Sequence, residues 1–235
     1  MRFAPRALGW IAALSLALNA AGAIAWTARH VRRRPPRPEI ASREQARAAL
    51  FHALAGPAAH RDVVLLGDSL TERGEWWELL DRPAANRGIA NDTIAGVRAR
   101  LDDVVALAPR LVFVLIGVND LMAGATPEAM AADHAALIAE LRRRLPGARL
   151  VVESLLPIRD ELVADDEPLT TQAVRRANQL LARGATAAGA EWLDVGARLA
   201  DPGGELDPAL SSDGLHLSAA GYRAWADALR PYLVP

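Results

Sequence analysis

Val63-Val64-Leu65-Leu66-Gly67-Asp68-Ser69-Leu70-Thr71 is the stretch whose reading decides the fold of this 235-residue chain. A short, unbroken apolar run marks a strand buried on both faces. Gly-Asp-Ser ends that run and opens a helix, so Ser69 sits at the carboxyl end of a strand. In an open α/β sheet, ligands bind in the crevice outside the strand carboxyl ends. A helix N-terminus at that place also points backbone N–H groups at developing negative charge. The stretch therefore puts a hydroxyl beside an anion site.

Outward from it, strands and helices alternate. Ser42-x-x-Gln45 has the form of a capping box and opens a helix to about Leu54. Strand one is Val63–Leu66, and a helix carrying Trp76, Trp77, Leu79 and Leu80 follows Ser69. Asn86–Ile89 is a second strand. Thr93 caps a helix with the stripe Ile94, Val97, Leu101 and Val104. Leu111–Ile116 is the clearest buried strand. Thr126-Pro127 starts a helix, with proline at the first helical position, and its stripe is Met130, His134, Leu137 and Leu141. Leu150–Leu155 is strand four, Thr171–Ala188 a helix and Glu191–Val195 strand five. Ser218 caps a last helix with Tyr222, Trp225 and Leu229 inward. Five strands separated by helices predict an α/β protein with a mostly parallel sheet covered on both faces.

Four loops at strand ends gather the polar residues: Gly67-Asp68-Ser69, Asn86 through Asp92, Gly117-Val118-Asn119-Asp120, and Asp213-Gly214-Leu215-His216. The first three follow strands one, two and three and so open on one edge of a doubly wound sheet. The fourth reaches that edge because it precedes the closing helix.

Composition removes other chemistries. The chain has no cysteine, which excludes thiol nucleophiles, disulfides and thiolate metal sites. All 27 basic residues are arginine, so a Walker A loop and a pyridoxal Schiff base are excluded for want of lysine. Neither G-x-G-x-x-G nor H-E-x-x-H occurs.

On these residues the chain resembles the SGNH (GDSL) hydrolase family, and within it the platelet-activating-factor-acetylhydrolase-like esterases. The resemblance spans about residues 60–230. It rests on Gly67-Asp68-Ser69-Leu70, on Gly88 in Asn-Arg-Gly-Ile, on Gly117-x-Asn119-Asp120 and on Asp213-x-x-His216. It implies a flavodoxin-like three-layer α/β/α fold and ester hydrolysis with Ser69 as nucleophile.

The residues support the same chemistry directly. A serine hydroxyl needs a base to take its proton, and histidine is the natural base near pH 7. Of five histidines, only His216 lies in a loop at this edge. Asp213 is placed to hold the imidazole tautomer, completing a Ser-His-Asp triad. The Ser69 and Gly88 backbone N–H groups and the Asn119 side-chain amide are the expected oxyanion donors. No metal and no cofactor is required. The expected partner is a small ester, lipid- or sugar-linked, and lysophospholipid or thioester substrates stay open.

Each residue also has a structural use. Ser69 suits a helix N-cap, Gly88 a turn, Asn119-Asp120 a capped turn, His216 a packed helix start and Asp213 the cap of an Asp-Gly turn. His134, on an apolar stripe, reads as a satisfied core histidine, and His52 and His60 show no clear partner. Trp76-Trp77 reads as core, with one ring lining the acyl or leaving-group pocket as the alternative. Arg142-Arg143-Arg144 reads as a solvated face, Asp68 and Asp92 as loop-shaping acceptors, and the acidic stretch 158–168 as a mobile rim. Two other functions compete: a catalytically silent binding module of the same fold, and a nucleotide-binding flavodoxin-like domain with Gly67–Thr71 as phosphate loop. Missing lysine and missing glycine repetition count against the second.

The N-terminus is of another kind. Residues 1–38 carry seven arginines and no acid, a charge of +7 against −8 for the rest. An acidic globular part argues against nucleic acid as a partner. Residues 7–28 are uncharged, with Trp10 and Trp26 near the ends, long enough for a helix across the roughly 30 Å hydrocarbon core. Segment 1–28 is read as a single-pass membrane anchor, 29–38 as a stiff Arg/Pro-rich linker, and 39–235 as the hydrolase domain. Ala23-Ile24-Ala25 also fits a signal cleavage site, which would export the domain. Arg29, Arg32, Arg33, Arg34 and Arg37 outweigh Arg2 and Arg6, which argues for a cytoplasmic domain. The two readings of sidedness stand side by side.

Overall fold

The computed structural model describes residues 42–56, 60–163 and 168–233. The expected anchor and linker, and the expected domain start at Glu39, lie outside the described residues. Among the described residues no helix is long and apolar enough to cross a membrane.

Five strands form one sheet: β1 (Val63–Gly67), β2 (Ala85–Gly88), β3 (Leu111–Leu115), β4 (Arg149–Glu153) and β5 (Glu191–Leu193). Their order is β2-β1-β3-β4-β5 and every pairing is parallel, so the sheet is parallel throughout. Val64 pairs with Ala85 on one side and Val112 on the other, and this register brings Gly67 level with Gly88 and Leu115. Every residue of β1 and β3 is buried, as a parallel sheet covered on both faces requires. The strand order turns at β1, and that turn leaves the crevice between β1 and β3 open above their carboxyl ends.

The helices are α1 (Arg43–Leu54), α2 (Ser69–Glu72), α3 (Trp76–Leu80), α4 (Ile94–Ala99), α5 (Leu101–Val105), α6 (Val118–Met122), α7 (Pro127–Arg144), α8 (Thr171–Ala187) and α9 (Ala219–Leu229). α7 packs on α4 and α8, and α9 packs on α3. Capping follows the sequence. Ser42 and Gln45 form the reciprocal capping box, and the Thr93, Thr126, Thr170 and Ser218 side chains each accept from the third backbone N–H beyond them.

Two expected helices are broken. The one after Ser69 stops at Glu72 and resumes at Trp76. The Trp76 indole folds back to donate to the Thr71 carbonyl at 2.8 Å and lies so close over Gly74 that a Cβ there would sit 2.4 Å from the ring. Trp76 is thereby core, in edge-to-face contact with Trp225 at 4.7 Å. Trp77 points outward and is 60% exposed, so the core reading fails for it. The second break falls at Arg100, between α4 and α5. Its guanidinium bonds Asp92 at 2.7 Å and the Gly67 carbonyl at 3.1 Å. Ile94, Val97, Leu101 and Val104 remain buried across the break.

Three other expectations need correction. His52 and His60 do have partners, Asp103 at 3.0 Å and Asp62 at 3.1 Å. Arg142 and Arg144 are half-buried and engaged, Arg142 with the Ala148 and Gly189 carbonyls and Arg144 with Asp102. His134 is buried, but its Nε2 has no hydrogen-bond partner, and burial pushes the ring down to about 4, so it is a neutral core group rather than a satisfied one.

Candidate active site

Ser69 is the first residue of α2, and a tight turn brings it there. A Cβ on Gly67 would lie 2.3 Å from both the Leu115 carbonyl and the Thr71 hydroxyl, so only glycine lets β1 run into α2 at this angle. Asp68 caps the helix by accepting from Leu70 N–H at 3.0 Å. The Ser69 backbone N–H makes no hydrogen bond among the described residues.

The imidazole of His216 arrives from 147 positions away. Its Nε2 lies 3.3 Å from Ser69 Oγ. Its Nδ1 lies 2.8 Å from Asp213 Oδ2. A carboxylate at Nδ1 keeps the proton on that nitrogen, so Nε2 accepts from the serine hydroxyl. Asp213 Oδ1 also accepts from the His216 N–H at 2.7 Å and the Leu215 N–H at 3.0 Å. Partial burial pushes the Asp213 carboxyl up, but the His216 backbone and ring and the Leu215 N–H outweigh it and hold the group at about 2. The turn-capping and the histidine-pairing uses of Asp213 are thus realised together.

Asn119 lies on α6, just after β3. Its side-chain amide donates to the Asp92 carbonyl at 2.8 Å. That bond fixes the amide against the β2 loop and leaves its second N–H free of any partner among the described residues.

Gly88 differs from expectation. Its N–H donates to Asn86 Oδ1 at 2.9 Å, so it is engaged within its own loop rather than open to a ligand. What Gly88 supplies is room: a Cβ there would lie 2.2 Å from Glu72 N and 2.7 Å from the Asp68 carbonyl. The turn carrying Ser69 rests on the bare face of this glycine. Asn86 locks the same contact, donating from Nδ2 to the Thr71, Glu72 and Gly74 carbonyls at 2.9–3.0 Å. In the same loop, Asn91 adopts a left-handed backbone at φ 61°. Its N–H makes no hydrogen bond among the described residues.

Behind the serine lie three carboxyl groups. Asp68 is fully buried and its Oδ2 has no partner. Burial, reinforced by Asp92 and Asp120 against the Leu70 N–H, raises it to about 7. Burial also raises Asp92 and Asp120, though Asp92 pairs with Arg100 and Asp120 accepts from Ile94 N–H at 3.1 Å. Among the described residues no group of three His, Cys, Asp or Glu side chains is placed to hold a metal ion.

Two grooves lie beside this site rather than at it. One of about 630 Å³ runs between α3 and α9, bordered by Arg73, Glu78, Tyr222 and Arg223. Another of about 420 Å³ lies over the ends of β4 and β5, bordered by Ile158, Val174 and Trp192.

With this geometry established, the likeness to known proteins is specific. Residues 65–224 match the GDSL-like Lipase/Acylhydrolase family. The chain is 32% identical over 182 residues to platelet-activating factor acetylhydrolase IB subunit alpha1 of Bos taurus, covering 74% of this chain and 75% of that one. Among solved structures, a candidate platelet activating factor from Streptococcus pneumonia superposes with a TM-score of 0.73 at 25% identity, over 81% of this chain and 92% of its own. A variant of an acetyl-xylooligosaccharide esterase from Geobacillus Stearmophilus shares the fold at a TM-score of 0.61 and 20% identity, over 77% and 97%. The chain belongs to the GDSL (SGNH) hydrolase family, and it is an enzyme that hydrolyses ester bonds.

Proposed function

We propose that this enzyme is a serine esterase acting on short-chain acyl esters, with Ser69 as nucleophile, His216 as general base and Asp213 as its orienting partner. The observation that carries the reading is the chain of contacts Ser69 Oγ to His216 Nε2 at 3.3 Å and His216 Nδ1 to Asp213 at 2.8 Å. As Oγ attacks the ester carbonyl, His216 Nε2 takes its proton. Asp213, ionised down to about pH 2, stabilises the imidazolium that forms. His216 then gives the proton to the leaving alkoxide. The acyl-serine is hydrolysed by water in the mirror-image sequence.

The developing oxyanion meets the unengaged Ser69 N–H and the free N–H of the Asn119 amide. The unengaged Asn91 N–H takes the place expected of Gly88, whose own N–H is used by Asn86. Loss of one such donor costs about 10²–10³ in kcat. The short acyl group draws support from relatives whose names specify acetyl esters.

The test is a chain-length series of nitrophenyl esters on the full chain, with fluorophosphonate labelling. Turnover that falls as the acyl chain lengthens, with Ser69→Ala losing both hydrolysis and label, supports the reading. A labelled Ser69→Ala variant, or a wild type inert to every ester, overturns it, the latter in favour of a silent binding module. Chelators leave the activity unchanged.

We further propose that residues 7–28 anchor the enzyme in a membrane. The uncharged 22-residue run and its flanking tryptophans support this.

A further inference from the structure

The loop that carries His216 is irregular: Ser212 and Asp213 are exposed at its tip, Gly214 is buried, and Leu215 and Leu217 pack half-buried against the core. The Asp213 side chain is 51% exposed, and the hydrogen bonds inside the loop shape its tip without tying that tip to another segment. Gly214 N–H donates to Ser211 Oγ at 3.0 Å, and Ser211 Oγ donates to the His216 carbonyl at 2.7 Å. Among the described residues, one hydrogen bond besides that to Ser69 ties 211–217 to a distant part of the chain. Arg159 N–H donates to the Gly214 carbonyl at 2.9 Å. The two segments touch there without spare room. Gly214 is left-handed at φ 78°, and a Cβ on it would lie 2.7 Å from Leu162 Cβ and 3.1 Å from the Arg159 carbonyl.

That contact is only as firm as the segment that makes it, and the Arg159 side chain makes the segment firm. Its guanidinium donates to the Leu206 carbonyl from Nε at 3.1 Å and Nη2 at 2.9 Å, and to Asp201 at 2.6 Å. Nη1 pairs with Glu205 at 3.2 Å. Leu206 N–H returns a bond to the Ile158 carbonyl at 3.1 Å. The guanidinium fork thus closes three acceptors of the 201–206 turn around one side chain that is only 16% exposed. Asp160 adds a second tie by accepting from the Thr171 N–H and hydroxyl, each at 2.8 Å.

We propose that Arg159 is a positioning residue for the base. By clamping 158–163 onto the 201–206 turn, it holds the Gly214 carbonyl and so sets where His216 Nε2 stands relative to Ser69. Arg159 touches neither substrate nor reacting atoms. Its effect passes through the backbone to Gly214 and from there to the Asp213–His216 turn. A long side chain with a planar fork suits this task, because the acceptors converge from two strands of a turn. A shift of about 1 Å in the base costs on the order of 10²-fold in rate.

The inference rests on the serine-esterase reading above, and a double-mutant cycle on the full chain tests it separately. Kinetics on a nitrophenyl ester are measured for wild type, Arg159→Ala, His216→Ala and the double variant. Arg159→Ala is expected to lower kcat by about 10²-fold with KM within about threefold. In the His216→Ala background, where no base remains to be positioned, the same change is expected to cost less than about threefold. Arg159→Lys keeps the charge but loses the fork and is expected to lose about tenfold in kcat. It carries the same cycle if the alanine variant does not fold. A kcat within twofold of wild type for either Arg159 variant overturns the proposal. An equal loss with and without His216 also overturns it, because that is the signature of general destabilisation. An active Ser69→Ala enzyme would instead overturn the serine reading itself.

Discussion

Single residues at this site divide into those that do chemistry and those that leave space for it, and Gly88 shows how the two are confused. A glycine beside a nucleophile reads as an amide donor, yet its N–H is used by Asn86 and its missing Cβ is what α2 needs. Gly88→Ala therefore tests space, not hydrogen bonding. Its Cβ would meet the backbone of Asp68 and Glu72, which cannot swing aside as a side-chain tip can. We expect a loss of about 1–3 kcal/mol, seen as a fall of several degrees in Tm, together with a fall in kcat as Ser69 is displaced. Gly184→Ala is the contrasting case. Gly184 lies inside α8, and a Cβ there would meet nothing within 4 Å. Alanine at this position should raise Tm by an amount matching about 0.5–1 kcal/mol and leave kcat alone. Should Gly88→Ala prove as benign as Gly184→Ala, the spatial account of Gly88 is wrong.

Elements were legible in the sequence where a period or a cap stated them, and not where a side chain overruled the period. All five strands and the caps at Ser42, Thr93, Thr126 and Ser218 follow from local pattern. The breaks at Gly74 and Arg100 do not, because each depends on a partner distant in space or a ring folded back. The loops holding Ser69, Asn119, Asp213 and His216 were readable for the same local reason, being polar blocks at strand ends. Arg159 was not, since it looks like any other arginine until the 201–206 turn meets it. The seat of α1 was equally hidden. Phe51 is its one buried residue, and the Arg47, Arg87 and Arg100 guanidiniums lie 4.9, 4.6 and 5.9 Å from its ring centroid. Arg47 in turn donates to the Gly88 carbonyl at 2.6 Å. Phe51→Ala should thus cost about 3 kcal/mol and free the α1 amides to exchange hydrogen faster than those of α7. Unchanged α1 protection would mean that the arginine bonds alone seat the helix.

At the scale of the whole molecule, the +7 terminal segment and the −8 remainder predict two separable parts. The full chain should sediment with membranes, and a chain beginning at Glu39 should stay in the supernatant with kcat/KM intact; a full chain found in the supernatant removes the anchor. Carboxyl groups that the core keeps from ionising lower stability as pH rises, and the buried neutral His134 opposes them with only one group, between about pH 4 and 6.5. Burial raises Glu153 to about 8, the Trp225 indole N–H offsetting only part of it, and burial likewise sets Asp68 at about 7. In the unfolded chain both titrate near 4. Between those values the folded protein keeps protons that the unfolded chain has released, so stability falls as pH rises. The contribution is complete below about pH 4 and is lost as pH climbs through 7 and 8. Asp213 works the other way: held at about 2, it stabilises the fold above pH 4 and loses that effect as pH drops toward 2. Stability should therefore peak in mildly acid solution and decline toward pH 8. Glu153→Gln keeps an acceptor for the Trp225 indole and has no proton to lose. The Tm of this variant relative to wild type should rise steadily from pH 5 to pH 8. The rise should match at most a few kcal/mol, because a tenfold difference in proton affinity between the folded and unfolded chain is worth about 1.4 kcal/mol. A difference that stays constant over that range would mean that Glu153 ionises freely inside the fold, through water reaching the end of β4.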